Sequence, residues 1–186
     1  MIAVYLSPRK KMPASFNLLV STTRSGGKWA CAELLKILKE LGDDEAVVDE
    51  TAIRGLIFGK TNLDPFEVVH KMRSLLKETP WMFRSVLKVI PIEKVIRTDV
   101  GEIVDAVSTL AHKIGADEVF RVTVEKRHTA LSTKDIILAV ASKIVNEVDL
   151  EKPDKIVLVE ILGNVTGISI LKPEDIFSIV KEKKLI

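Results

Sequence analysis

The 186-residue sequence contains a single cysteine, Cys31, so it cannot form an intramolecular disulfide or a cysteine-rich zinc site. Glutamine is absent, and lysine outnumbers arginine beside abundant glutamate, isoleucine and valine, a composition that leans toward thermophilic proteins. No apolar run approaches the roughly 20 residues of a membrane span. The N-terminus places its apolar stretch before its basic residues, which is the wrong order for a secretory signal. We therefore expect a cytoplasmic protein without a membrane partner.

Charge is nearly balanced overall but uneven along the chain. The net charge is +2, and residues 1–98 carry 16 Lys and Arg against 11 Asp and Glu, whereas residues 99–186 carry 12 against 15. A basic half can steer a nucleic acid, but this excess is also common on ordinary soluble surfaces. Since 47% of the residues are apolar, the chain can bury a core in one or two small domains.

Apolar periodicity in the first half predicts the order βαββαβ, which is that of a ferredoxin-like domain over residues 1–96. The first helix follows the turn Arg24-Ser25-Gly26-Gly27 and ends at Gly42, and the second begins at Asp64-Pro65 with an N-cap acid and a proline. The last strand, residues 86–96, is interrupted by Pro91, which indicates an edge position or a bulge.

The second half, residues 97–186, reads as an α/β domain that follows without a flexible linker. Capping patterns at Asp99 and Ser132 predict two helices. The runs Lys155–Leu162 and Val165–Leu171 predict strands joined by a tight hairpin, although parallel pairing through a longer path stays open. An amphipathic helix is expected to close the chain over residues 173–184, with Ile176, Phe177 and Val180 inward. The predicted class is α+β.

Two glycine-containing segments invite comparison with phosphate-binding loops. Gly55 to Thr61 departs from a Walker A motif because only three residues separate its glycines and Arg54 stands where the first glycine belongs. Ser25-Gly26-Gly27-Lys28 partly resembles the SGG of ATP-pyrophosphatase loops, but the expected aspartate and serine are replaced, so adenylation is not supported. An RNA phosphate contact at Arg24 and Lys28 stays open beside a simple tight turn.

Metal and nucleophilic chemistry find little support in the sequence. The three histidines are isolated, and Cys31 has no neighbouring base. We therefore expect no metal, no cofactor and no catalytic residue.

The most informative segment is Val124 to Lys134, in which a strand runs into a basic turn and then into a capped helix. Lys126, Arg127 and His128 offer point charges and a forked guanidinium beside the free backbone amides of a helix N-terminus. Such a combination suits phosphates or ribose, although a solvated loop would also explain it.

This segment and the residues after it resemble a THUMP domain, the RNA-binding module of certain thiouridine synthases, methyltransferases, pseudouridine synthases and acetylation adaptors. FRVTVEKRHTALST is followed by the helix DIILAVASKIV and then by VDLEKPDKIVLVEILGNVTGISIL, which resembles the family's "VDL..PD..I.VEI" strand and its "G..GIS" ending. The resemblance covers about residues 97 to 186. Residues 1 to 96, including WMFRSVLKVIPIEKV, resemble less specifically the ferredoxin-like domain that accompanies THUMP domains.

The resemblance implies that both domains hold the acceptor end of a tRNA for a modification enzyme. Because no enzyme segment follows before Ile186, the sequence most resembles the stand-alone adaptor of tRNA cytidine N4-acetylation, whose partner is a separate acetyltransferase. We therefore expect a non-enzyme. The alternatives are an RNA-binding subunit of a split enzyme, such as a thiouridine synthase, and a protein-interaction module without RNA binding. The expected RNA-binding residues are Lys126, Arg127, His128, Ser132, Lys134, Gly163 and Gly167, together with Arg24, Lys28 and Arg97.

Overall fold

The computed structural model describes residues 15–185, which fold into two sheets covered by helices. We call the elements from Leu18 to Pro91 the first unit and those from Lys94 to Leu171 the second unit. In the first unit the observed order βαββαβ is the predicted one. Its elements are β1 (Leu18–Ser21), α1 (Gly27–Glu40), β2 (Val47–Glu50), β3 (Leu56–Lys60), α2 (Pro65–Glu78) and β4 (Lys88–Pro91).

Both helices of the first unit end and begin where the sequence predicts. α1 is followed by Gly42, whose φ of 98° is a left-handed conformation that glycine adopts without strain. At the start of α2, the Asp64 carboxylate accepts hydrogen bonds from the backbone N–H groups of Phe66 and Glu67 at 2.9 and 3.0 Å. Each helix then packs one apolar face on the sheet. The buried members of those faces are Ala30, Leu34, Ile37, Leu38, Val68, Val69, Met72 and Leu76.

The second unit has the predicted helix starts and the predicted hairpin. The Asp99 and Ser132 side chains accept hydrogen bonds from the backbone N–H groups of Glu102 and Asp135. The sheet order is β5-β8-β7-β6, in which β7 and β8 are antiparallel about Gly163 and β6 and β7 are parallel. The elements are β5 (Lys94–Arg97), α3 (Val100–Leu110), β6 (Phe120–Arg127), α4 (Thr133–Ala141), β7 (Lys155–Leu162) and β8 (Val165–Leu171).

The sequence predicts one strand, interrupted at Pro91, over residues 86–96, but the structure has two separate strands there. β4 ends at Pro91 in the first sheet, and β5 begins at Lys94 in the second sheet. Between them the backbone N–H of Ile92 donates to Asn17 O, and that of Glu93 donates to Ile168 O. The chain therefore crosses from one sheet to the other at Pro91, whose missing N–H suits the end of a strand.

The predicted closing helix over residues 173–184 is wrong. A turn of 3-10 helix (Pro173–Asp175) leads into a short strand, β9 (Phe177–Ser178), and only then into a four-residue helix, α5 (Ile179–Glu182). β9 pairs with β4, so the first sheet has the order β2-β3-β1-β4-β9. Val180, expected to face inward, is 49% exposed.

The two units share an apolar core, because the sheet faces without helices pack against each other. Leu19, Phe58 and Ile90 of the first sheet lie in the same buried cluster as Ile156 and Leu158 of the second. The sheets also cross the predicted boundary between residues 96 and 97. β5 of the second sheet begins before it, at Lys94, and β9 of the first sheet lies after it. The α+β class is confirmed, and the division at residues 96 and 97 stays a prediction. No helix within residues 15–185 is long and apolar enough to span a membrane.

Candidate nucleic-acid interface

Strand alternation directs Arg127 toward the first unit. On β6, Val122 and Val124 pack against the core beneath α3 and α4. Successive side chains of a strand point to opposite faces, so Arg127 lies on the other face, which looks toward the first sheet. Its carbonyl accepts a hydrogen bond from Gly163 N at 2.8 Å. The strand ends here because His128 adopts a φ of 57°, the only positive φ of a non-glycine residue within residues 15–185.

A buried carboxylate anchors the Arg127 side chain. Arg127 Nη1 donates to Glu160 Oε2 at 3.0 Å, where Glu160 is 2% exposed and the Arg127 side chain is 33% exposed. Burial raises the pKa of Glu160 above its usual value, while the positive charges of Arg127 and Lys88 act in the opposite direction. The other guanidinium N–H groups make no hydrogen bond within the described part of the chain, so they are available to a ligand.

Arg127 and His128 line an open cleft of about 560 Å³ between the two units. We call it the arginine cleft, and its lining residues are Arg24, Ala52, Ile53, Arg54, Arg127 and His128. Arg24 and Arg54 are exposed, and neither has an ion-pair partner among residues 15–185. Three arginines and no carboxylate are among the described residues that line the cleft, and Arg127 is the one of them paired with an acid, Glu160. The cleft therefore has a positive character that suits phosphate oxygens.

The topology of the first sheet brings Arg24 and Arg54 together. Arg24 follows the end of β1, and Arg54 lies in the turn between β2 and β3. Because β1 and β3 are antiparallel, with Ser21 opposite Leu56, both loops leave the sheet at the same edge. A hydrogen bond of 2.9 Å from Thr22 N to Gly55 O ties these loops together.

Four of the expected residues near the basic turn and the first helix lie outside the lining of the arginine cleft. Lys126 Nζ donates to the carbonyl of Leu131 at 2.7 Å, and the Ser132 hydroxyl is occupied in capping α4. Lys134 and Lys28 are exposed, without an ion-pair partner in the described residues. Lys28 follows Gly27, where an added Cβ atom would overlap the Glu50 carboxylate, so the N-terminus of α1 already faces an acid.

Gly163 and Arg97 lie on the same edge of the second sheet as Arg127. Gly163, with a φ of 69°, forms the turn between β7 and β8, and Arg97 ends β5, opposite Val165. Three strand spacings separate β5 from β6, which places Arg97 about 14 Å from Arg127. Arg97 Nη2 is paired with Glu102 Oε1 at 3.0 Å and is largely exposed.

Gly167, which the sequence predicts to permit close approach of RNA, is instead packed against another part of the chain. It lies in β8 and is buried. A Cβ atom there would lie 3.2 and 3.3 Å from the Cγ2 and Cδ1 atoms of Ile92. A larger residue at this position would have to displace the Ile92 side chain, because the crossing segment between the two sheets packs directly on the strand.

Sequence reasoning missed Arg54 and Glu160. Arg54 drew attention only as the residue that spoils a Walker A motif. The predicted βαββαβ order could have indicated Arg54, because it places the turn between β2 and β3 beside the end of β1. Within residues 15–185 no group of three or more His, Cys, Asp or Glu residues could hold a metal ion.

Comparison with known proteins finds a domain match in the second unit. Residues 97–171 match the model of the THUMP domain, and Arg127 and His128 of the arginine cleft lie within this range. A curated protein of Methanocaldococcus jannaschii, described as uncharacterized, is 34% identical over 112 residues, which cover 54% of this chain and 31% of that protein. The chain therefore spans about a third of the length of this relative.

Solved structures share the fold across both units. PH1313 from Pyrococcus horikoshii is 20% identical, with a TM-score of 0.61 over 85% of this chain and 54% of that one. TrmN from Thermus thermophilus is 15% identical, with a TM-score of 0.54 over 84% of this chain and 46% of its own. A 4-thiouridine synthetase in complex with RNA and ATP is 15% identical, with a TM-score of 0.52 over 84% and 41%. At these identities the likeness concerns the fold.

Proposed function

We propose that this chain binds tRNA for a tRNA modification reaction, through the arginine cleft. The observation that carries the proposal is the meeting of Arg24, Arg54 and Arg127 at one cleft, to which both units contribute. The THUMP match and the structural likeness to a thiouridine synthetase solved with RNA support it. The first unit, with β4, β1, β3 and β2 side by side in that order, would be the ferredoxin-like partner domain.

We further propose that the chain is a non-catalytic adaptor, which presents the acceptor end of tRNA to a separate cytidine N4-acetyltransferase. The resemblance to the stand-alone adaptor supports this role, as does the arginine cleft, whose groups suit phosphate binding. A split enzyme is the alternative. In that case a separate polypeptide with thiouridine synthase or methyltransferase activity would be the partner.

We expect tRNA affinity to depend on phosphate contacts in the arginine cleft. Arg24→Ala with Arg54→Ala should weaken tRNA binding and reduce the slope of log affinity against log salt by about 2, because each lost phosphate contact releases about one counterion fewer. The measurement is a titration of labelled tRNA between about 50 and 200 mM salt, the range over which phosphate-dominated binding weakens strongly.

The matched control removes two positive charges elsewhere. Lys143→Ala with Lys152→Ala changes two exposed lysines near the opposite edge of the second sheet, where β6 and β7 begin. This variant should keep the wild-type slope. tRNA without its single-stranded 3′ end should bind less tightly to the wild-type protein if the acceptor end is held. Equal slopes for both double variants would argue against the arginine cleft.

We expect the purified chain alone to show no acetylation, thiolation or methylation of tRNA. This expectation follows from the proposed adaptor role, in which the separate enzyme supplies the donor site and the catalytic groups. The assay is incorporation of label from each donor into tRNA, with and without a purified acetyltransferase. Turnover by the chain alone would refute the adaptor role. Stimulation of a thiolating or methylating polypeptide instead would favour the split enzyme.

A further inference from the structure

Both tryptophans of the chain are exposed, and they lie at one cleft. Trp29 is 74% exposed and Trp81 is 63% exposed, although large aromatic side chains usually bury most of their surface. They line an open cleft of about 420 Å³ on the first unit, together with Lys36, Met82 and Arg84. We call it the tryptophan cleft. It lies outside the arginine cleft, and the proposed function does not use it.

The tryptophan cleft is held in place by the fold. Trp29 lies in the first turn of α1, and Trp81 lies in a turn of 3-10 helix (Pro80–Met82) after α2. The Glu33 carboxylate of α1 accepts hydrogen bonds of 2.8–3.0 Å from three successive backbone N–H groups that follow Trp81. Beside Trp81, Phe83 is 1% exposed and anchors the segment in the core. The two indoles therefore project from a fixed framework.

Positive charge surrounds the indoles. Lys28 and Lys36 lie on α1 beside Trp29, and neither has an ion-pair partner among residues 15–185. The Arg84 guanidinium is folded back on the Trp81 carbonyl through Nε, at 3.1 Å, and has no acidic partner in the described residues. Among the described residues, Glu33 is the one acid that lines the cleft, and its oxygens already accept the backbone N–H groups.

The tryptophan cleft and the arginine cleft have lining residues that are close together in sequence. Arg24 and Trp29 are five residues apart, so their Cα atoms are at most about 18 Å apart, and exposed Lys28 lies between them. Cations that follow a backbone together with aromatic faces are the combination by which proteins bind single-stranded nucleic acid. Protein interfaces also favour tryptophan, but they are depleted in lysine. The charges thus favour RNA as the occupant.

We propose that the tryptophan cleft stacks one or two unpaired bases of the same RNA whose phosphates lie in the arginine cleft. This inference rests on the proposed function, because it assigns a second contact to the RNA bound there. Each indole offers its π-face to a base, while Lys36 and Arg84 neutralise the neighbouring phosphates. Stacking tolerates any base, so this contact selects unpaired RNA rather than a sequence.

Intrinsic fluorescence gives a direct test, since Trp29 and Trp81 are the only tryptophans of the whole chain. Titration with tRNA or an oligonucleotide of unpaired RNA should quench the emission along the same isotherm as binding. Trp29→Ala and Trp81→Ala should each weaken binding by about 5-fold to 150-fold, the range found for single base-stacking residues. The salt slope should not change, because a lost stacking contact neutralises no phosphate.

Three controls separate stacking from other causes. Trp29→Phe and Trp81→Phe should keep most of the affinity, since phenylalanine retains an aromatic face. Leu35→Ala removes an exposed apolar side chain of the same helix and should bind like wild type. Thermal unfolding should be nearly unchanged in all of these variants, because the altered side chains are exposed.

The outcomes distinguish this inference from the proposed function. If the arginine-cleft variants weaken tRNA binding but the emission is constant and both alanine variants bind like wild type, the tryptophan cleft is not an RNA contact and the function stands. If tRNA fails to bind but unpaired RNA still quenches the emission, the function fails and the stacking contact stands. Variants that bind RNA normally but lose stimulation of a partner enzyme would make the cleft a protein-docking site, which overturns the inference.

Discussion

We expect Arg127→Ala to lower the free energy of unfolding by about 1–3 kcal/mol in addition to weakening tRNA binding. Removal of the guanidinium leaves the carboxylate of Glu160, which is 2% exposed, without its charged partner. Breaking a buried ion pair costs about 3–5 kcal/mol, but here one third of the Arg127 side chain is exposed and water offsets part of the loss. Urea denaturation at neutral pH measures the change.

Glu160→Gln provides the matched control. In the double variant Arg127→Ala with Glu160→Gln, no buried charge remains, so stability should return to within about 1 kcal/mol of wild type. tRNA binding should stay weak, because the guanidinium that faces the arginine cleft is still missing. If the double variant recovers both properties, Arg127 acts on RNA only through folding. If Arg127→Ala is as stable as wild type, the pair with Glu160 does not stabilise the protein.

The loss in Arg127→Ala should also depend on pH. Burial raises the pKa of Glu160 above its ordinary value of 4.5, and Arg127 opposes this shift. Without Arg127 the pKa of Glu160 in the folded state rises further. At pH values between 4.5 and this raised pKa, the folded state therefore binds more protons than the unfolded state. Stability therefore falls as the pH rises through this window. The double variant lacks this titration and should not show the additional fall.

This expectation differs from what the sequence alone indicates. From the sequence, Arg127 lies where a strand leaves the core, and its replacement is expected to cost little stability. The apolar run of β7 contains Glu160 at a position whose burial depends on the first sheet, far away in sequence. The pattern of residues near Glu160 in sequence cannot reveal that the first sheet covers this side chain. For the same reason the sequence could not show that Gly167 packs on Ile92.

The sequence predicted correctly those elements whose bounds are set by residues close together in the chain. The bounds of β7 and β8 agree with the predicted ones, because Gly163-Asn164 separates two β-rich runs. The capped helix starts at Asp64, Asp99 and Ser132 were predicted for the same reason. Of the expected site residues, Arg24, Arg127 and His128 do meet in one cleft. Their meeting follows from packing between the units, which the sequence does not encode as a motif.

In residues 173–184, by contrast, the local pattern predicted the wrong element. The spacing of Ile176, Phe177 and Val180 is compatible with one face of a helix, and it predicted one. The backbone of Phe177 and Ser178 instead pairs with Val89 and Lys88, which continues the first sheet by one strand. Backbone hydrogen bonds to an open sheet edge outweigh weak local helix preference in a segment this short.

Phe177→Ala should be the most destabilising of the substitutions considered, with a loss of about 3–5 kcal/mol in the free energy of unfolding. Phe177 is fully buried, with its ring edge-on to Phe83 at 6.1 Å between centroids and the Arg73 guanidinium 5.2 Å from its centroid. Truncation leaves a cavity in the core of the first unit and releases the strand that joins the end of the chain to it.

Val180→Ala is the matched control, because the helical spacing would bury both side chains, whereas the structure leaves Val180 half exposed. This control should change stability by no more than about 0.5 kcal/mol. Urea denaturation followed by circular dichroism compares the two variants with wild type. A large loss for Phe177→Ala alone agrees with β9, since only the strand buries one side chain and exposes the other. Equal losses would mean that residues 173–184 fold as the amphipathic helix that their spacing predicts.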